Sequence, residues 1–184
     1  MKKISEKVLF RGKWLAFKEN IFVTKEGREV RWECVERKNS KSVVVIVPRL
    51  MPSERFVLIK QYRPALENYI IGFPAGLAGT DDIKREALKE LYEETGYTGG
   101  EVKLSPPLKL NPGTINDTVY VANVDIDENA PENQNPPQHL ESTEIIDVVI
   151  KKKDELKEFV TSEIEKGVSV GGGFYYTFFG LSGF

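Results

Sequence analysis

GLAGTDDIKREALKELYEETGY, residues 76–97, is the stretch on which the reading of this chain turns. From Asp82 to Thr95 it has a helical period. At about 100° per residue, Ala87, Leu88, Leu91, Tyr92 and Thr95 share one broad face. Glu86, Glu90, Glu93 and Glu94 gather on the opposite arc, with Arg85 and Lys89 to one side. Solvated helix faces normally interleave signs at i, i+4, and the row Glu86, Glu90, Glu94 does not, at a cost of roughly a few tenths of a kcal/mol per like-charged pair. Glu90 and Glu94 stand one turn apart, close enough to share a divalent cation; on spacing alone, a solvated acidic face remains the alternative. Gly96 ends the helix as a left-handed cap. Ahead of it, Phe73-Pro-Ala-Gly76 forms a rigid turn whose free carbonyl could add another hard oxygen ligand.

Outward from that helix the chain reads mainly as strand. Val43 to Val47 is a continuous β-branched run, the pattern of a strand buried on both faces. Phe56 to Gln61 follows the turn Pro52-Ser-Glu-Arg55 as its antiparallel neighbour, and Thr118 to Asp125 and Ile145 to Ile150 are two further strands. Upstream, Trp14 to Phe17, Ile21 to Thr24 and Val30 to Arg37 read as short strands, with Lys25 to Arg28 as a hairpin turn. Downstream, Asp154 to Lys166 places Leu156, Phe159, Val160 and Ile164 on one helical face, and Gly167 stops it. An aromatic segment, Phe174 to Leu181, closes the chain. Strands mixed with two or three helices give an α+β fold, an α/β/α sandwich. We divide it into an amino-terminal β region, 1–40, and the remainder, 41–184.

Composition narrows the chemistry. The 184 residues include one cysteine, Cys34, and one histidine, His139, so an intramolecular disulfide and a zinc site of clustered Cys and His are both excluded. A Ser-His-Asp engine would have to run through His139, which lies in a Pro/Asn-rich stretch and is expected to be solvated. Cys34 is expected to pack as a small apolar group. With 28 acidic against 26 basic residues and a net charge of −2, the chain lacks the basic excess of a nucleic-acid binder. Carboxylates and hard cations are the resource left. No apolar run approaches the ~18 residues of a membrane span, and the opening MKKISEKVLF lacks a signal-peptide core, so a cytoplasmic setting without membrane partners is expected. Residues 127–143, DENAPENQNPPQHLEST, hold three prolines in seventeen residues. A loop that long is either a disordered excursion or a working lid.

Residues 76–97 resemble the Nudix box, G-x5-E-x7-R-E-U-x-E-E-x-G-U, with U aliphatic or aromatic. Glu90, Leu91, Glu93, Glu94, Gly96 and Tyr97 match position for position. Lys89 replaces the arginine, and the box is one residue short. An indel inside the helix would rotate the carboxylate row by about 100°, so the missing residue belongs to the loop. That makes Asp81 the counterpart of the loop glutamate and Asp82 the helix N-cap. Gln61-Tyr-Arg-Pro64, Phe73 to Gly76, Gly12-Lys-Trp14 and Trp32-Glu33 are further similar to ADP-sugar pyrophosphatases of the ADP-ribose-hydrolysing type. The likeness covers most of residues 5–160.

The resemblance implies a Nudix-type sandwich with a mixed sheet, in a homodimer that cleaves ADP-ribose to AMP and ribose 5-phosphate. It implies that Glu90 and Glu94 ligate Mg²⁺, or Mn²⁺ as a substitute, with Glu93 assisting and the Ala75 carbonyl completing the shell. It places the general base on a mobile loop before a late strand, here Glu144, with Glu141 as its substitute, which makes 127–143 a lid. Trp14, Trp32 and Glu33 would grip adenine in a pocket shared between subunits, with Arg37 as a further contact. Arg63 suits a pyrophosphate clamp, since a guanidinium forks onto two phosphate oxygens. The residues alone leave other roles open: a core position for Trp32, an interface anchor for Trp14, a surface ion pair for Arg63 and an exposed strand-start acid for Glu144. Two rival functions also stand: the same chemistry on GDP-mannose, another nucleotide sugar or a dinucleotide, and a non-catalytic nucleotide-sensing module.

Overall fold

The structure is a computed structural model that describes residues 1–40 and 42–180; the last residues of the aromatic tail, 181–184, lie outside the described residues. The amino-terminal region is an antiparallel three-stranded sheet of β1 (Lys2–Arg11), β2 (Leu15–Val23) and β3 (Glu29–Arg37). The hairpin between β2 and β3 turns at Gly27, which has φ 82°. Strand β2 runs unbroken where two short strands are expected from sequence, and β1 is absent from that reading altogether. The reason is visible in its bonding. β1 is mostly exposed and shows no apolar alternation; it is held by its backbone ladder and by charge, Lys18 bridging Glu6 of β1 (2.7 Å) and Glu36 of β3. Hydrogen bonds from Lys18 and Lys3 hold the Glu6 carboxyl down at about 2.

The second sheet is mixed. It comprises β4 (Ser42–Met51), β5 (Arg55–Arg63), β6 (Asn68–Gly72), β7 (Ala75–Leu77), β8 (Val102–Leu104), β9 (Thr118–Asp127), β10 (Ile146–Lys151) and β11 (Ser169–Val170). Helix α1 (Ile83–Thr95) follows β7, α2 (Leu156–Glu165) follows β10, and α3 (Gly172–Phe179) follows β11. The long central β4 runs parallel to β9 from Ser42↔Thr118 to Met51↔Asp127. It meets β5 only at Arg49 and Leu50, and β7 takes the vacated edge at Val43 to Val45. That divergence of β4 from β5 opens the sheet where α1 begins.

Each face of the sheet carries a core. Val44, Ile46 and Leu50 turn towards α1 and pack with Ala87 and Leu91. Val45 and Val47 turn the other way, where Leu58, Ile71 and Phe73 meet Leu156 and Val160 of α2 and Phe174 and Phe179 of α3. The chain is an α+β fold with helices on both faces of the sheet, and the aromatic tail is a helix seated on Phe56 and Phe73. Among the described residues no helix is long and apolar enough to cross a membrane.

The two sheets are tied through residues 113–117. Val35 N–H donates to Thr114 O (2.8 Å), and the Trp32 indole N–H donates to Gly113 O (3.0 Å). The Arg37 guanidinium meets Asp117 (3.2 Å).

Candidate active site

Helix α1 is anchored at both ends as its sequence dictates. Asp82 is the N-cap and accepts from the Arg85 N–H (3.2 Å); Gly96 turns left-handed (φ 78°) and donates to Tyr92 O (2.8 Å). With the ends set, Ala87 and Leu91 face the sheet, and Glu90 and Glu94 face the Pro-Ala-Gly turn. Glu94 is 1 % exposed, and its carboxylate accepts from the Ala75 N–H (2.9 Å). The Glu90 carboxyl lies flat on Gly76, where any Cβ would overlap it; glycine is required there by close approach.

Facing this pair is the turn that precedes β10. Glu144 N–H donates to Glu141 O (3.0 Å), and Glu141 N–H returns a bond to the Glu144 carboxylate (3.0 Å). Glu90, Glu94, Glu141 and Glu144 line one cleft of about 440 Å³, together with Arg37, Arg63 and Lys89. Burial raises the Glu94 carboxyl to about 8, helped by the charges of Glu144 and Glu90 and opposed by the Ala75 hydrogen bond and Arg63. Glu90 is also raised, first by burial and then by its acidic neighbours, with Lys89 opposing. Deprotonated, these groups concentrate negative charge where burial already disfavours it, the situation a bound cation relieves. The donors are all oxygen, which suits a hard cation. Among the described residues no three Asp, Glu, His or Cys side chains converge into a ready-made cage.

Two other acids of the helix face elsewhere. Glu86 accepts from Gly79 N–H (3.2 Å) and Thr80 Oγ1 (2.9 Å), which hold its carboxyl below the ordinary range. It therefore secures the shortened loop, next to Asp81, the counterpart that sequence matching gives to the loop glutamate. Glu93 stands beside the cleft with its carboxylate on Lys89 (2.9 Å); Lys89 also approaches Glu90 (3.7 Å). At Ala75 the observed contact is through the amide, which grips Glu94.

The remaining expected residues divide. Arg63, at the end of β5, and Arg37, at the end of β3, both reach the cleft. Trp14 is 59 % exposed with Lys13 Nζ 4.5 Å above its ring, Trp32 is 49 % exposed, and Glu33 is exposed. The core position weighed for Trp32 is thus excluded: about half of its surface is exposed, and its indole N–H is bonded to Gly113 O. His139 is exposed yet not simply solvated, as it stacks on Tyr92 at 4.3 Å. Cys34 is half-buried and accepts a hydrogen bond from Asn20 Nδ2 (3.0 Å).

Sequence reasoning assigns no role to two residues of the site's surroundings, Gln138 and Gln61, the second quoted only within Gln61-Tyr-Arg-Pro64. Gln138 Nε2 donates to Glu94 O (2.7 Å) and Ile146 O (3.1 Å), and Gln61 lies 5 % exposed in the cleft wall. Neither shows in a periodicity, since each matters through tertiary contacts.

No family model matches the chain. Curated relatives do. It is 36 % identical over 168 residues to putative nudix hydrolase 2 of Caenorhabditis elegans, covering 86 % of this chain and 75 % of that protein. The chain belongs to the Nudix hydrolase family. This Nudix hydrolase, an enzyme by that membership, is also 31 % identical over 160 residues to the ADP-sugar pyrophosphatase of Mus musculus, covering 83 % and 73 % of the two chains. Among solved structures, a crystal structure titled as an ADP compounds hydrolase superposes with a TM-score of 0.69 over 91 % of this chain and 96 % of that one. At 18 % identity, that likeness speaks for the fold.

Proposed function

We propose that this enzyme hydrolyses the pyrophosphate of a nucleoside diphosphate sugar, ADP-ribose before others, giving AMP and ribose 5-phosphate with Mg²⁺. The observation that carries the reading is the buried Glu90–Glu94 pair on the Ala75–Gly76 turn, set in one cleft with two guanidinium groups and a second pair of acids. Mg²⁺ is content with one or two carboxylates when phosphate oxygens and water fill its shell, and when bound it supplies charge neutralisation for the pyrophosphate.

Arg63 and Arg37 hold phosphate oxygens, Arg37 being aimed by Asp117. Glu144 takes the proton of the water that attacks phosphorus in line, the P–O–P bridge breaks, and the departing phosphate leaves as the monoester. Glu141 fixes the turn that presents Glu144. Glu93 holds Lys89 and would join a metal shell only by releasing it. Exposed Phe10, Trp14 and Trp32 give the three-stranded sheet an apolar surface that suits a second copy and, with Glu33, an adenine ring.

A panel of nucleoside diphosphate derivatives with Mg²⁺, resolved by product chromatography, tests the reading. AMP and ribose 5-phosphate from ADP-ribose are expected at the highest kcat/KM. A clear preference for GDP-mannose or a dinucleotide would overturn the substrate, and a monomer in light scattering at micromolar concentration would overturn the dimer.

A further inference from the structure

Behind the carboxylate cleft, on the α3 side of the sheet, lies a second chamber of about 240 Å³. Its walls are apolar: Val45 and Val47 of β4, Val119 and Val121 of β9, and the rings of Phe73 and Phe174. Gly173 and Thr177 of α3 roof it, and Leu110, 64 % exposed, stands at its mouth. The chamber and the cleft share three residues, Gln61, Arg63 and Ala75, so they are neighbouring rooms with a common wall.

Gln61 is the polar group of that wall. Its side chain is buried, and its Oε1 meets no donor among the described residues. A buried acceptor left without a partner costs about 1–3 kcal/mol, which a ligand bearing a donor would recover. Arg63 reaches the same wall, so a pyrophosphate held by Arg63 would pass one of its two substituents towards Gln61.

We propose that this chamber receives the sugar that departs with the distal phosphate, and that Gln61 selects it by hydrogen bonding to a sugar hydroxyl. The inference rests on the pyrophosphatase reading above and adds the subsite. A hydroxyl both donates and accepts, so it pairs with the carboxamide in either of its two orientations. The aliphatic and aromatic walls suit the C–H face of a furanose or pyranose ring, while hydroxyls turned to the mouth keep their water. Pockets of this kind, apolar with one or two placed polar groups, discriminate chiefly by penalising ligands that leave the polar group unpaired.

The test compares ADP-ribose with the β-methyl ester of ADP, which keeps the pyrophosphate and lacks the sugar. The quantity read is the ratio of their kcat/KM values. Gln61→Leu is expected to lower that ratio at least about tenfold. Gly173→Leu, which adds bulk at a residue lining the chamber where a Cβ meets no atom within 4 Å, should lower it in the same direction without endangering the fold. A ratio unmoved in the folded variants, or equal losses on both substrates, overturns the subsite. So does a change confined to discrimination between ADP-ribose and GDP-ribose, which would put the base in the chamber. If the unaltered enzyme hydrolyses neither compound, the pyrophosphatase reading fails first, and the two failures are told apart by that control.

Discussion

Two pairs of acids line the cleft, and they are held in opposite ways. Glu90 and Glu94 belong to a helix capped at both ends, press on the backbone of Ala75 and Gly76, and have pKa values raised by burial. Glu141 and Glu144 belong to a turn closed by its own two hydrogen bonds. The long segment before that turn is not a free lid. Asn133 bonds both Thr98 N–H (2.9 Å) and Thr98 O (3.1 Å), His139 N–H reaches Glu93 O (2.8 Å), and Gln138 ties to α1 and β10. The chain is fixed again at Ile145, whose carbonyl accepts from Tyr62 N–H (3.0 Å). Only Leu140 to Glu144 remain between anchors, so the lid expected over residues 127–143 shrinks to its last few residues. The contrast suggests a division of labour, a rigid pair that holds charge in place and a short adjustable pair that delivers a proton acceptor.

The rigid pair offers the largest break. Glu94→Gln keeps an oxygen for the Ala75 N–H but cannot become the carboxylate that would face a bound cation, and kcat for ADP-ribose should fall about a thousandfold with the fold intact by circular dichroism. Near-normal turnover would remove the metal-holding role from Glu94. On the adjustable pair, Glu144→Gln should cost about a hundredfold in kcat, the usual scale for a lost general base, and Glu141→Gln clearly less. The reverse order would move the base to Glu141.

A third measurement separates the pairs without turnover. Burial lets Glu94 keep its proton up to about 8 in the folded protein, against an ordinary 4.5. Between those values the folded state holds more protons than the unfolded one, so metal-free stability should fall as pH rises from about 4.5 to about 8, by the order of a few kcal/mol. Acids with depressed values, among them Glu6, Glu86, Glu128 and Glu163, act oppositely, and their contribution is complete above the ordinary carboxylate range. Thermal melts in chelator at pH 5 and pH 8 should show the decline, Mg²⁺ should raise the pH 8 midpoint, and Glu94→Gln should flatten the slope. A flat profile in the unaltered protein would mean that the pair carries no electrostatic penalty.

Legibility followed the range of the interactions. Helix α1, its Asp82 cap, its Gly96 stop and the alignment of Glu90 with Glu94 are set by local spacing, and all could be read from residues 76–97. Strand β1 could not, because its support is a charged ladder across three strands rather than alternating apolar residues. Glu86 looked equivalent to Glu90 and Glu94 on a helical wheel. Only the position of the Gly79–Thr80 loop turns it from the cleft. Gln138 gives no sign in the sequence, and Gln61 stands in a quoted stretch without a role, since a carboxamide acquires meaning only from what folding brings to it.

Gln138 yields the smallest and most local effect. Its Nε2 group serves the carbonyls of Glu94 and Ile146 at once, so it staples the last turn of α1 to the start of β10, on either side of the Glu141–Glu144 turn. Gln138→Ala removes the donor from both, at a cost of about 1–2 kcal/mol, or a midpoint lower by a few degrees for a chain of this size. The helix pair keeps its caps and its contacts with Ala75 and Gly76, so Mg²⁺ should stabilise the variant as it does the parent. The turn loses one of its anchors and keeps those at His139 and Ile145. Hydrogen exchange should therefore quicken across residues 138–145 and not within Ile83–Leu91, and kcat should fall severalfold through a less well-placed Glu144. Equal loosening of the helix would show that the two pairs form one unit, and the proton acceptor would then be as fixed as the carboxylates it faces.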